Sequence, residues 1–255
     1  MGVGTLWESG RMCGRYATTQ TSASLNDAFG VELANSFVEL EPDYNMAPTK
    51  EAPLVITRST DDGEHREALT ATWGLVPSWA KDRKIGNRMI NARSETVAEK
   101  PAFKKAFARR RAIVPADGYY EWYAGGEPAL KGSKQPKQPF FITPKDRSVL
   151  AMAGLYEFWK ESDDADWLIT FTILTTSATD DLGHLHDRMP LLVQPDDLDA
   201  WLDPAPHPTD ELLGLLVPAA PGLLDAWPVS KAVNNVRNNG PELVQPIPLE
   251  DGASE

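Results

Sequence analysis

The chain has 255 residues and a mass of 28.0 kDa, enough for one large domain or two small ones and for burial of roughly 70–75% of its unfolded surface without metal or disulfide staples. Hydrophobic residues make up 42% and charged residues 24%, which excludes a disordered or collagenous chain, and no window approaches 18 uninterrupted apolar residues, which excludes a transmembrane helix. The net charge of −12, from 25 basic and 37 acidic residues, argues against a generic nucleic-acid coat, whose affinity would come from clustered Lys and Arg.

Residues 1–11 lack a basic start and an apolar core, so they read as a tail and not as a secretory signal. Residues 22–31 read as a short Ser-capped helix, 43–48 as a turn-rich connector and 54–58 as a strand. The stretch 71–80 holds Trp73 and Trp79 broken by Gly and Pro, which suits an aromatic-lined loop. Residues 94–110 read as a helix whose main part opens at Pro101, with Phe103 and Phe107 four apart on its inward face. Residues 112–114, 119–123, 140–143, 149–158 and 167–176 are rich in β-branched and aromatic side chains and read as strands. The Gly- and Lys-bearing stretch 125–137 reads as a hairpin-like surface loop. Helices over 196–202 and 209–216 and a last strand over 226–230 complete the chain.

Strands outnumber helices and do not alternate with them, so the expected fold is α+β, with a mainly antiparallel sheet or partial β-barrel core and flanking helices. One domain over residues 12–248, between the tail 1–11 and an acidic tail 249–255, is the expected organisation.

Charge is distributed unevenly. Between Lys81 and Arg111 eleven basic residues face only Asp82, Glu95 and Glu99, a local excess that suits either a focused anion site or a solvated face. The single cysteine, Cys13, makes no internal disulfide, and with four histidines no zinc pattern can be assembled, so neither metal nor cofactor is expected and a reducing cytoplasm is the natural compartment. Met12 precedes Cys13 directly. A chain starting at, or cleaved to, Cys13 would carry a thiol and an α-amine on adjacent carbons, a pair that captures an aldehyde as a Schiff base and closes it to a thiazolidine.

Five blocks carry a further signal: MCGRY at 12–16, NARSET at 91–96, GYYEW at 118–122, TTSA at 175–178 and HDRMP at 186–190. In that order they resemble the SOS-response-associated peptidase family, also called abasic-site processing proteins, and VSKAVNNV at 229–236 resembles the family's C-terminal end. The resemblance implies a covalent link between an N-terminal cysteine and the ring-opened sugar of an abasic site in single-stranded DNA. By matching positions it implies Cys13 as nucleophile, Asn91 holding the open sugar, Glu121 as acid and base, and His186 assisting ring opening. It implies that Arg15, Arg93 and Arg188 take flanking phosphates. In the family the cysteine follows the initiator Met, so the tail here implies either translation from Met12 or self-cleavage of the Met12–Cys13 bond.

Read from the residues alone, Asn91 and Arg93 share a face if the chain there is extended. Apolar neighbours would raise the pKa of Glu121 toward the range useful for proton transfer, and a histidine such as His186 titrates near neutral pH. Arg15 beside Cys13 favours thiolate and a phosphate contact at once. Trp73 and Trp79 are candidates for stacking on bases, with at least one expected in the core, and Thr175 is a candidate hydrogen-bonding group near the site. His184 and His186 with Asp187 carry little metal signal without a third ligand. Two other readings stay open: a thiol peptidase or amidohydrolase using Cys13, and a non-catalytic single-strand binder.

Overall fold

The computed structural model describes residues 14–123, 137–178, 182–183 and 185–248. In chain order these form β1 (Tyr16–Thr18), α1 (Ser22–Phe29), β2 (Glu32–Leu33), β3 (Asp43–Met46), β4 (Glu51–Thr60), β5 (Gly63–Trp73), β6 (Asn91–Arg93), α2 (Lys104–Arg109), β7 (Arg111–Ala116), β8 (Gly118–Tyr123), β9 (Gln138–Pro144), β10 (Leu150–Trp159), β11 (Leu168–Ser177), β12 (Arg188–Pro190), α3 (Leu198–Leu202), α4 (Thr209–Gly214) and β13 (Leu224–Pro228). The fold is α+β with mostly antiparallel sheets. One sheet has five strands in the order β13-β9-β8-β1-β3, and the other runs β12-β11-β10-β7-β4-β5-β2 with β6 beside β11. A two-residue parallel pairing of β11 with β5, Thr170 to Thr72 and Phe171 to Trp73, bends the second sheet into a partial ring short of a closed barrel.

Strand alternation sorts the side chains into three apolar clusters. Tyr16, Trp73, Tyr119, Phe171 and Ile173 fill the space between the sheets. Leu25, Ala92, Phe107, Leu174 and Trp201 pack on the helix-covered side of the larger sheet. Ala17, Tyr120, Phe141, Val233 and Leu243 lie on the far face of the smaller sheet, under the C-terminal segment.

Several elements differ from the sequence reading, each for a tertiary reason. Four of the six residues of the expected connector 43–48 form β3, which pairs with β1. The helix expected over 94–110 shrinks to α2, because the chain leaves β6 still tied to the sheet: Ser94 N–H donates to the Thr175 carbonyl at 2.9 Å, and turns follow. Helix α1 starts where expected but ends at Phe29, two residues short of the expected Val31, because Gly30 takes the left-handed conformation, and its cap is Thr21, whose hydroxyl accepts from the Ser24 N–H while Ser24 Oγ accepts from the Thr21 N–H. The chain after β5 turns at Gly74, with φ 120, and crosses Gly86 so closely that a Cβ at either glycine would sit within 2.7 Å of the other's carbonyl oxygen. That crossing sets the approach of the chain to β6. The expected loop over 125–137 and both expected tails lie, but for Lys137, outside the described residues, although the antiparallel pair Tyr123–Gln138 flanks the loop.

Candidate active site

The site begins where the chain enters the smaller sheet. Tyr16 pairs with Tyr119, and the Tyr120 N–H donates to the Arg15 carbonyl at 3.0 Å. One more step of that antiparallel register brings Gly14 alongside Glu121. Tyr119 points between the sheets and Tyr120 away from that space, so Glu121, two residues past Tyr119, shares the intersheet face; it is only 3% exposed. Cys13 and Met12 lie outside the described residues.

The facing half comes from the larger sheet. Asn91 pairs with Ile173 and Arg93 with Thr175 in the parallel β6–β11 ladder. Ala92 packs on the helix side while Ile173 points between the sheets, so Asn91 and Arg93 share the intersheet face, the first half-buried and the second exposed. The alternation expected from the sequence therefore holds. What fixes the two halves against each other is Trp73. Its ring meets Tyr16 edge-on at 5.1 Å and stacks on Phe171 at 6.3 Å, and its Nε1–H donates to the Ile90 carbonyl at 2.8 Å, one residue before Asn91. This corrects the reading of Trp73 as a base-stacking residue: it is 0% exposed, and both ring faces are covered by protein. Trp79, 56% exposed, keeps a free surface.

A third group lies where β11 ends and β12 starts. His186 is half-buried, and its Nδ1 is 3.0 Å from the Arg188 backbone N–H and 3.0 Å from Asp187 Oδ1. The Arg188 guanidinium is paired in fork geometry with the Glu95 carboxylate and donates to the Thr175 carbonyl at 2.7 Å and, at 3.3 Å, to its hydroxyl. That pairing, first through the hydrogen bond and then through Coulombic attraction, holds the Glu95 carboxyl below its ordinary value. Thr175 is 0% exposed. Thr175 does hydrogen-bond near the site, as expected, but to protein and not as one of the DNA contacts: it braces Arg188 from inside. Arg188, in turn, is already charge-paired within the protein.

Arg15 is also engaged. Its Nη1 donates to Asn45 Oδ1 at 2.6 Å and to the Val233 carbonyl at 2.9 Å, and its Cζ lies 5.8 Å from the Trp122 ring centre. Desolvation lowers its pKa, opposed by the Tyr120 and Asp43 side chains. Asn45, wholly buried, uses its amide nitrogen on the carbonyls of Val233, Asn235 and Asn238 at 3.3, 3.0 and 2.9 Å. Sequence reasoning passed over Asn45 because it sits in a stretch that reads as a turn, where Asn is unremarkable. Its role depends on a segment 188 residues away.

The basic stretch divides. Arg110 pairs with Glu157 at 2.7 Å, and Arg111, 3% exposed, donates to the carbonyls of Phe107, Ala108, Trp201 and Asp203. These two are structural; the other nine basic residues from Lys81 to Arg109 are exposed. Among the described residues no group of three or more His, Cys, Asp or Glu side chains is placed to hold a metal ion, and no helix is long and apolar enough to cross a membrane.

Residues 12–236 match the family model described as SOS response associated peptidase, SRAP. The chain belongs to the SRAP family. Its relatives include the abasic site processing protein YoqW of Bacillus subtilis (strain 168), 36% identical over 92% of this chain and 99% of that protein. The abasic site processing protein HMCES of Gallus gallus is 32% identical over 93% of this chain and 79% of that protein. A solved structure of a protein from Bacteroides thetaiotaomicron superposes with a TM-score of 0.77 at 26% identity, covering 92% of this chain and all of that one. The SRAP match starts at Met12, and it spans every candidate residue described above.

Proposed function

We propose that this protein processes abasic sites in single-stranded DNA by joining the opened sugar covalently to Cys13. The observation that carries the reading is the burial of Glu121 on the intersheet face, beside the point where the chain emerges from Cys13 and opposite the strand that bears Asn91. The names of the YoqW and HMCES relatives supply the substrate class. The chemistry needs Cys13 as the first residue, reached by initiation at Met12 and removal of that Met, or by hydrolysis of the Met12–Cys13 bond in the longer chain.

The reaction then balances as follows. The Cys13 α-amine adds to the C1′ aldehyde of the opened sugar to give a carbinolamine, which loses water to leave an imine. The thiolate adds to the imine carbon as the nitrogen takes up a proton, closing the five-membered ring. Loss of water needs an acid and the thiol needs a base, and Glu121 serves for both. Asn91 orients the sugar, and Arg93 with the exposed basic residues engages the backbone phosphates. Trp79 offers a face to a neighbouring base.

The test is incubation of protein beginning at Cys13 with an end-labelled oligonucleotide carrying one abasic site, followed by denaturing electrophoresis. A retarded band is expected, lost in Cys13→Ala and slowed in Glu121→Gln with affinity held within a few-fold. An undiminished band from Cys13→Ala sinks the thiazolidine. Peptide hydrolysis without any DNA adduct favours the amidohydrolase reading, and binding without an adduct favours the non-catalytic one.

A further inference from the structure

We propose that Glu95 is an internal stand-in for a DNA phosphate: in the free protein its carboxylate covers the Arg188 guanidinium, and a phosphodiester of the bound strand takes its place. The inference rests on the abasic-site reading above and concerns how that strand is admitted.

Arg188 is held from two sides. Inside, its Nη2 donates to the Thr175 carbonyl at 2.7 Å, and Thr175 is 0% exposed, so this contact belongs to the sheet. Outside, both terminal nitrogens donate to Glu95, Nη1 to Oε1 and Nη2 to Oε2, the latter at 2.9 Å. The Arg188 side chain is 12% exposed and that of Glu95 48%, so the carboxylate is the layer between the guanidinium and water. The Arg188 Nε–H is buried and meets no acceptor among the described residues.

Carboxylate and phosphate accept the same two parallel N–H bonds from a guanidinium. The two free oxygens of a phosphodiester therefore fit the place that Glu95 fills, with the same single negative charge. Releasing Glu95 leaves no buried charge behind, because the half-exposed carboxylate swings into water while the Thr175 carbonyl keeps the guanidinium aimed. A second arginine acts on the same place. Arg93 stands opposite Thr175 in the β6–β11 ladder. The Arg188 hydrogen bond first, and then the Coulombic pull of Arg188 and of Arg93, hold the Glu95 carboxyl below its ordinary value. One carboxylate thus answers two guanidiniums.

Such an exchange has a signature that an ordinary phosphate contact lacks. An uncompensated arginine that meets a phosphate adds about 0.7 to the log–log salt slope on a single strand. Arg188 paired with Glu95 adds little, because the freed carboxylate restores the negative charge that the guanidinium cancels. The pair also keeps stray anions off Arg188 until a strand already anchored by the exposed basic residues presents a phosphate at high effective concentration.

Two measurements test this. The first is the anisotropy of an unmodified single-stranded oligonucleotide across salt, for the parent, Glu95→Gln and Glu99→Gln. Glu99 is exposed in the same segment, so its variant sets the general effect of removing one negative charge. Beyond that effect, Glu95→Gln should bind about tenfold more tightly at low salt, with a slope steeper by about 0.7. Equal effects of the two variants, or weaker binding by Glu95→Gln, overturn the proposal. The second uses free protein titrated with inorganic phosphate, followed at the Arg188 Nε–H by proton–nitrogen NMR. In Glu95→Gln that signal should shift and saturate, at phosphate concentrations about tenfold below those that move it in the parent. The same response in both proteins, or none in Glu95→Gln, overturns the proposal whether or not the protein binds DNA. If no form binds the strand, the abasic-site reading fails while the phosphate titration still decides what Glu95 covers.

Discussion

The two sheets contribute to the site under opposite conditions. The half on the smaller sheet is dry and fixed: Glu121 is 3% exposed, and Arg15 is tied to buried Asn45 and to the C-terminal segment. The half on the larger sheet lies at an open edge, with Arg93 exposed, Arg188 paired with a partly exposed Glu95, and His186 on a connecting turn. Proton transfer gains from a site that excludes water, whereas phosphates and bases must be met at the surface. The division of burial is therefore a division of labour, with Trp73 as the hinge pin between the halves.

The contrast can be broken most severely at that pin. Trp73→Ala removes a fully buried ring shared by both sheets and should cost about 3–5 kcal/mol, read as a lowered urea midpoint; a loss under about 1 kcal/mol would show that the halves are held by something else. Next is Asn45→Ala, which takes one of two acceptors from Arg15 and the side-chain donor from the Val233, Asn235 and Asn238 carbonyls, of which the first two keep the Arg15 guanidinium and the Asn238 N–H. At about 1–3 kcal/mol for a buried group left unsatisfied, it should destabilise by about 1–3 kcal/mol and increase proteolysis of the C-terminal segment, with the larger sheet's core little affected.

Changes at the open edge should be smaller and should appear in binding, not in stability. Trp79→Ala should leave the unfolding midpoint in place and weaken single-strand affinity by about 1–3 kcal/mol if the ring stacks on one base, as measured by anisotropy. Arg93→Ala should flatten the log–log salt slope by about 0.7; an unchanged slope would place the phosphates elsewhere.

The smallest effect separates two carboxyls by sign. Arg188 holds the Glu95 carboxyl below its ordinary value, so its stabilising contribution is present above the ordinary carboxylate range and is lost as pH falls through the lowered folded value. Burial raises the Asp117 carboxyl, against the hydrogen bonds donated by Thr19 and Gln20. Its effect is the reverse, favouring the fold below the ordinary Asp value and fading as pH rises through the raised one. Thermal unfolding from acid to neutral pH should show Glu95→Gln removing the first dependence and Asp117→Asn the second. Because Glu95 is half-exposed, its share should be small and should shrink further in salt.

Much of this was legible before the structure. The β-branched and aromatic runs located β7 to β11 to within a few residues, because those strands are long and half or wholly buried. The spacing of Asn91 and Arg93 correctly placed them on one face. The short strands β6 and β12 and the long, charge-bearing β5 were not legible, since their local composition is ordinary and their register comes from partners far along the chain.

Composition and local chemistry can be read along the chain: an α+β fold, a lone cysteine beside a methionine, and titratable groups in recognisable runs. Which of those groups are spent inside follows from long-range packing alone. Trp73 and Thr175 turned inward, Arg110 and Arg111 became internal ties, and Asn45 became the anchor of a distant segment. The physical reason is that burial and hydrogen-bond partnership are properties of pairs brought together from distant parts of the chain. No local pattern can report whether a polar side chain has met its partner or still faces water.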